Sequence, residues 1–276
     1  MRTVSQSLRE YGRGVAGGLL FSLPLLYTME VWWAGFTSHP FRLAAYVAAT
    51  FALLLGYNYF AGLRRDSCFS EVVIDSVEEM GLGLLVALLI LWLLGRVTFG
   101  MPLEEAAGKV VIEAMTVAVG VSVGTAQLGG GQDEEDKGVS GSRSQAGGFG
   151  GQLVITLCGA VLFAANVAPT EEIVMIAVEI SAWRLLGLAL LSLSLGALIL
   201  YYSEFAGSSR HVRFDRHHDV LVGTAVTYAV ALAASAAILL FFGRFDGQAL
   251  ATCVAQTVVL GVAGTLGASA GRLLLQ

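Results

Sequence analysis

The chain has 276 residues, of which 56% are hydrophobic and only 13% are charged. Soluble globular domains carry roughly 25% charged residues, so the composition excludes a soluble globular protein and predicts an all-α bundle of membrane-spanning helices in contact with the lipid bilayer. The formal net charge of −5 also excludes the strongly basic surface that nucleic-acid binding requires.

Eight apolar segments contain the roughly 20 residues that a membrane-spanning helix needs. They cover residues 14–36, 42–63, 74–95, 106–128, 150–172, 183–204, 219–243 and 249–272. The longest segment between them, 129–148, is rich in Gly and Ser and contains an acidic cluster, which is typical of a flexible linker. We therefore predict a first four-span repeat over 1–128, a linker over 129–148 and a second four-span repeat over 149–276.

The distribution of basic residues predicts the orientation in the membrane. Eleven of the 16 Lys and Arg residues lie in the two termini and the alternate loops on the same side. Loops on the cytoplasmic side carry the excess of Lys and Arg. We therefore expect a multi-pass protein of the inner (plasma) membrane whose N- and C-termini are both cytoplasmic.

An internal repeat appears when residues 19–33, "LLFSLPLLYTMEVWW", are placed over residues 161–175, "VLFAANVAPTEEIVM". At an offset of 142 residues Thr28 falls on Thr170 and Glu30 on Glu172. Later, "AMTVAVGV" (114–121) matches "AQTVVLGV" (255–262) at an offset of 141. Four spans return the chain to the side of the membrane on which it began, so both halves enter the membrane in the same direction. We therefore predict parallel repeats related by a rotation of roughly 180° about an axis near the membrane normal, with Glu30 and Glu172 at the same depth in the membrane.

Each copy of this repeat has a threonine and one or two acids with a proline nearby, Pro24 in the first and Pro169 in the second, though not at matched positions. Proline removes a backbone donor, and such a break persists in hydrocarbon only where other groups or a water-filled cavity satisfy the freed carbonyls. The fifth span is therefore predicted to consist of two pieces that meet between Ala168 and Thr170. Two interpretations remain open: the acids mark the membrane boundary, or they gather cations or protons. The candidate residues are Thr28, Glu30, Thr170, Glu171 and Glu172.

Two further groups of acids lie in the third and fourth segments. Glu71, Asp75 and Glu78 or Glu79 share one helix face, either as a solvated helix entry or as the acidic lining of a pathway. Glu105, Lys109 and Glu113 follow at intervals of four, a spacing that permits ion pairs. Glu113 would lie roughly 12 Å from Glu105 along the helix, which makes it the best candidate for a buried titrating acid, with a structural Glu–Lys pair as the alternative.

Small residues in the last span of each half predict close helix contacts. Gly120-x-x-x-Gly124 and Gly267-x-x-x-Gly271 have the spacing that lets the backbones of two helices approach each other. The three cysteines, Cys68, Cys158 and Cys253, are far apart and show no metal-ligand spacing. We therefore expect neither a metal site nor a cofactor.

The stretches "LPLLYTMEVWW" (23–33) and "PTEE" (169–172) resemble a family of bacterial integral membrane proteins that is known only as a domain of unknown function. The resemblance extends over nearly the whole chain and implies no activity. Because the sequence has no Walker motif, nucleophile elbow or HExxH motif, we do not expect an enzyme. We predict a channel or carrier for small cations or protons, and leave a homo-oligomer open. The alternative is a membrane sensor, a partner-binding subunit or an intramembrane enzyme.

Overall fold

A computed structural model describes residues 4–61, 68–127, 149–207 and 216–274 of the chain. Within these ranges the protein is entirely helical, and the chain divides into two compact units, Met1–Val154 and Ile155–Gln276. The predicted linker, 129–148, lies outside the described residues. The prediction of an all-α membrane protein is confirmed for the described part of the chain.

The described residues form ten helices. In chain order they are α1 (Val4–Leu26), α2 (Met29–Thr37), α3 (Pro40–Ala61), α4 (Phe69–Leu93), α5 (Leu103–Gln127), α6 (Phe149–Ala165), α7 (Glu171–Glu179), α8 (Ala182–Gly207), α9 (Arg216–Phe241) and α10 (Leu250–Leu274).

Six of these helices are long and apolar enough to cross a membrane, namely α3, α4, α5, α8, α9 and α10. A seventh span is obtained if α1 and α2, which meet at an angle of 86°, are counted as one broken span. The predicted span over 150–172 is instead the 17-residue α6, followed by a break and the short α7. The eight-span prediction is therefore not confirmed, because the break beside Pro169 shortens the apolar helix.

In the first unit, α5 is the central helix. It packs against α1, α2, α3 and α4, and its side chains are buried from Gly108 to Gly124 with one exception. Glycines make this close packing feasible, since a Cβ atom added to Gly17 would overlap the Cα atom of Gly124. Gly35 of α2 meets the backbone of Gly108 in the same way. The predicted glycine contact is confirmed for α5.

In the second unit, α10 has the corresponding place. It packs against α7, α8 and α9, and its Gly267 and Gly271 face Gly159 of α6. Buried alanines and branched residues complete the core, among them Ala164, Ala165, Ile173, Leu239 and Leu260.

The turns after α4 and α9 have the same construction. Gly95 and Gly243 adopt positive φ angles of 67° and 70°, which glycine tolerates without steric cost. The next residue donates its backbone N–H five residues back, from Arg96 to Leu91 (2.8 Å) and from Arg244 to Leu239 (2.9 Å). This pattern is a Schellman motif, which satisfies carbonyls at the end of a helix and aims the arginine that follows.

Candidate functional site

Both predicted threonines lie at breaks between two helices. Thr28 precedes α2 and its hydroxyl donates to the carbonyl of Pro24, at 2.8 Å. Thr170 precedes α7 and its hydroxyl donates to the carbonyl of Val167, also at 2.8 Å. Neither side chain caps the helix that follows. The threonine hydroxyls therefore add a second hydrogen bond to carbonyls that also accept a backbone N–H at each break.

The arginine after each Schellman motif reaches the short helix that follows the break. In the first unit the Arg96 guanidinium lies over the ring of Trp32 in α2, at 4.7 Å. In the second unit Arg244 donates to Glu171 Oε1 at 2.7 Å and to the carbonyl of Pro169. Glu171 thus closes the break before α7 through an ion pair.

The other two predicted glutamates lie in the first turns of the short helices. Glu30 is half-buried and its side chain makes no hydrogen bond or ion pair with the described residues, whereas Glu172 is exposed. Acidic side chains at a helix N-terminus are stabilised by the helix dipole. The two glutamates belong to different units, and their predicted role as path residues stays a prediction.

Lys109 lies at the end of α5 that faces the turn after α4. Its ammonium donates to Glu105 Oε1 at 2.6 Å and to the carbonyl of Arg96 at 3.4 Å, and it lies 5.3 Å from the centre of the Phe36 ring. The Lys109 side chain is only 10% exposed, while that of Glu105 is 33% exposed. The Glu–Lys pair that the spacing permits is therefore present.

Glu113, one turn further along α5, is fully buried, with 0% of its surface exposed. Neither of its carboxyl oxygens has a hydrogen-bond partner among the described residues. An ionised carboxylate that is buried and unpaired costs several kcal/mol. Near it, the hydroxyls of Tyr46 in α3 and Thr116 in α5 share a hydrogen bond of 3.0 Å. Glu113 is therefore a costly position for an ionised carboxylate.

A second polar group lies toward the other end of α5, around Asn58 of α3. The Asn58 amide donates to Ser76 Oγ at 3.0 Å and to Glu79 Oε2 at 2.7 Å, and its oxygen accepts from Ser122 Oγ at 3.2 Å. Asn58 is 7% exposed. It therefore joins α3, α4 and α5 through their side chains.

The Asn58 cluster borders a cavity of about 70 Å³, which has room for several water molecules. Four residues with carboxyl groups line it: Glu10 from α1 and Asp75, Glu78 and Glu79 from α4. Asn58, Ser122 and Thr125 add polar groups, and none of the described lining residues is basic. The acidic face of the third segment therefore lines a cavity, and its role as the lining of a pathway stays a prediction.

These groups lie at successive levels along α5, and we call the series the polar track: the Glu105–Lys109 pair, then Glu113 and Thr116, then Ser122 beside the acidic cavity. Glu113 and Ser122 are nine residues apart and therefore project from opposite sides of the helix. Glu105 and Ser122 are roughly 25 Å apart along the helix, close to the hydrocarbon thickness of roughly 30 Å. Carboxyl, hydroxyl and amide groups can relay protons or hold hard cations. The described residues contain no cluster of three His, Cys, Asp or Glu side chains that could hold a metal ion.

The central helix of the second unit, α10, is less polar than α5. Gln256 of α10 is fully buried and donates to the carbonyl of Arg244 at 3.4 Å, just as Lys109 donates to the carbonyl of Arg96. Four residues further, where Glu113 follows Lys109, the second unit has the buried Leu260.

These features define a helical integral membrane protein with polar and acidic groups buried inside its first unit. A family model described as "Putative integral membrane protein (DUF2391)" matches residues 10–275, so the chain belongs to this family. No curated protein and no solved structure matches the chain.

Proposed function

We propose that the first unit carries protons or small cations across the membrane, as a channel or carrier, along the polar track of α5. The observation that carries the proposal is the track itself, since buried acids within a membrane are costly and mark ion pathways. The acidic cavity would collect the cation or proton at one end, Glu113 would hold it midway, and the Glu105–Lys109 pair would form the other end.

The track is interrupted, which favours a carrier or a gated channel over a permanently open pore. Between Thr116 and Ser122, roughly 9 Å of α5 carries only the apolar or small residues 117–121. A proton or cation can cross this part only if water enters it or helices move. On this proposal, the close glycine contacts of α5 with α1 are the surfaces along which such a movement takes place.

The orientation and the repeat belong to the same proposal. With cytoplasmic termini, the acidic cavity near the start of α1 opens to the cytoplasm. The helix bounds support a duplication: α2 and α7 both have nine residues and begin 142 residues apart, while α5 and α10 both have 25 and begin 147 apart. We propose eight spans in two parallel repeats, with α6 and α7 together as the fifth.

The residues at the breaks have a different proposed role. Glu30 and Glu172, with Thr28 and Thr170, would attract cations at the outer surface of the membrane. Glu171 would contribute less to this attraction, because it is paired with Arg244.

Reconstitution in liposomes tests the proposal. Purified full-length protein is placed in vesicles, gradients of protons, Na⁺ or K⁺ are imposed, and flux is followed with internal dyes. Glu113→Gln should abolish the flux, because it removes the only acid in the middle of the described track. Glu104→Gln, an exposed acid in the first turn of the same helix, is the matched control and should retain it. Absence of flux under every gradient, or unchanged flux in Glu113→Gln, would refute the proposal.

A non-transport role as a sensor or partner-binding subunit is the second candidate. The apolar interruption between Thr116 and Ser122 favours it, because two separate polar clusters can simply tie helices together. In this case vesicles show no flux, and Asn58→Ala lowers stability with no other effect.

A further inference from the structure

Lys109 lies midway between two glutamates on the same helix. Glu105 precedes it by four residues and Glu113 follows it by four, and side chains at this spacing are neighbours on a helix surface. In the structure the ammonium is paired with Glu105, at 2.6 Å, while both oxygens of Glu113 are without a partner among the described residues. One lysine therefore has two carboxyl groups within reach and pairs with the more exposed one.

The backbone contact of Lys109 does not require its charge. Gln256 makes the same hydrogen bond to the carbonyl of Arg244, at 3.4 Å, that Lys109 makes to the carbonyl of Arg96, also at 3.4 Å. A neutral amide is therefore sufficient to hold the helix against the preceding turn. The positive charge of Lys109 also lies over the ring of Phe36, and the two glutamates are the ionisable groups at neighbouring positions of α5 on which it can act.

We propose that Lys109 is a tethered cation that moves from Glu105 to Glu113 when Glu113 releases its proton. Before the step Glu113 is neutral and Lys109 is paired with ionised Glu105. After the step one proton has left to water, Lys109 is paired with ionised Glu113, and Glu105 stays ionised and is stabilised by solvent alone. Its part in transport rests on the proposed function, whereas the movement itself does not.

The difference in exposure between the two glutamates drives this exchange. Glu105 is one-third exposed, so water stabilises its charge when the lysine leaves, and exposed pairs of this kind contribute little. Glu113 is fully buried, so its charge has a large desolvation penalty unless a cation pairs with it. Among the described residues, Tyr46 of α3 is the titratable group of a neighbouring helix that interacts electrostatically with Glu113, and it provides no positive charge. Lys109 is the cation within reach.

Infrared difference spectroscopy on the full-length protein tests the exchange without any transport measurement. Wild type at neutral pH should show a protonated-carboxyl band that disappears in Glu113→Gln. In Glu105→Gln, Lys109 is released to pair with Glu113, so most of this band should be lost at the same pH. The double variant Glu105→Gln/Lys109→Gln should recover the band, because the competing cation is gone.

Lys109→Gln copies Gln256 and should elute as a folded protein with the wild-type band. The proposal is overturned if wild type lacks the Glu113 band, if Glu105→Gln leaves it unchanged, or if the double variant fails to restore it. Vesicles without flux but with the expected series of bands would refute only the proposed function, and flux with an unchanging band would refute only this exchange.

Discussion

The contact between α1 and α5 gives a stability prediction that the structure makes quantitative. In Gly17→Ala the new Cβ atom would overlap the Cα atom of Gly124 and lie 2.9 Å from the carbonyl oxygen of Gly120. Both are backbone atoms, so relief requires α1 to move away from α5. Overpacking of this kind costs about 1–3 kcal/mol, against a gain of roughly 0.5–1 kcal/mol from replacing glycine by alanine within a helix. We expect a net loss of about 1–2 kcal/mol.

Gly12→Ala is the matched control, because Gly12 lies in the same helix and has no atom within 4 Å of an added Cβ. It should be neutral or stabilising by up to about 1 kcal/mol. Reversible unfolding in mixed micelles, followed by circular dichroism, measures both variants under the same conditions. If Gly17→Ala is as stable as Gly12→Ala, the close approach of α1 to α5 is wrong. The position of Glu10 at the cavity would then be wrong with it.

Three further predictions concern the other contacts. Asn58→Ala should lower the free energy of unfolding by about 1–3 kcal/mol, because it removes the hydrogen bonds that join three helices; a change below about 0.5 kcal/mol would contradict the described network. Arg244→Met should make the break before α7 more susceptible to limited proteolysis, because it removes the ion pair and the bond to the Pro169 carbonyl, and a cleavage pattern unchanged from wild type would count against this. The backbone N–H and then the hydroxyl of Ser70 lower the pKa of the Cys68 thiol below its usual 9.0. In a chain without the other cysteines, alkylation of Cys68 should therefore reach half of its maximal rate at a lower pH than alkylation of a free thiol, and Ser70→Ala should raise this midpoint pH. Equal midpoints with and without the substitution would argue against the hydroxyl contact.

The helix breaks could be predicted from the sequence because their causes are local. A proline followed by a threonine and acids is typical of a helix start, and the sequence predicts a break between Ala168 and Thr170. The structure ends α6 at Ala165 and begins α7 at Glu171. The number of full spans could not be predicted in this way, since a count of apolar residues does not register that a break has shortened the helix.

The Asn58 cluster could not be found from the sequence. Asn58, Ser76 and Ser122 are single neutral polar residues in apolar segments and have no motif in common. They meet only because α3, α4 and α5 pack together, and Ser122 is 64 residues from Asn58. By contrast, Asp75, Glu78 and Glu79 share a face through helical periodicity alone, so their place in one cavity was within reach of sequence reasoning.

The alignment of α5 with α10 differs when it is based on identical residues and when it is based on glycine contacts. The sequence match at an offset of 141 places Glu113 over Val254. The glycine contacts suggest a different alignment, because Gly120 and Gly124 meet Gly17 as Gly267 and Gly271 meet Gly159, and this gives an offset of 147. Apolar segments share many letters by chance, but a glycine is needed only where two backbones touch. Contacts therefore provide the better alignment of α5 with α10.

If the two units are aligned on these glycines, as the proposed duplication implies, they differ most where the polar track is. Lys109 corresponds to Gln256 and Glu113 to Leu260, while Ser122 corresponds to the buried Ser269. The second unit packs its central helix with a leucine where the first unit buries an unpaired acid, so the fold itself does not need that acid. A buried acid that costs stability, and that the proposed repeat replaces with leucine, supports the proposal of a functional role for Glu113. On the proposed function, the activity therefore belongs to the first unit with Glu113 as its central residue, rather than to a site shared equally by Glu30 and Glu172.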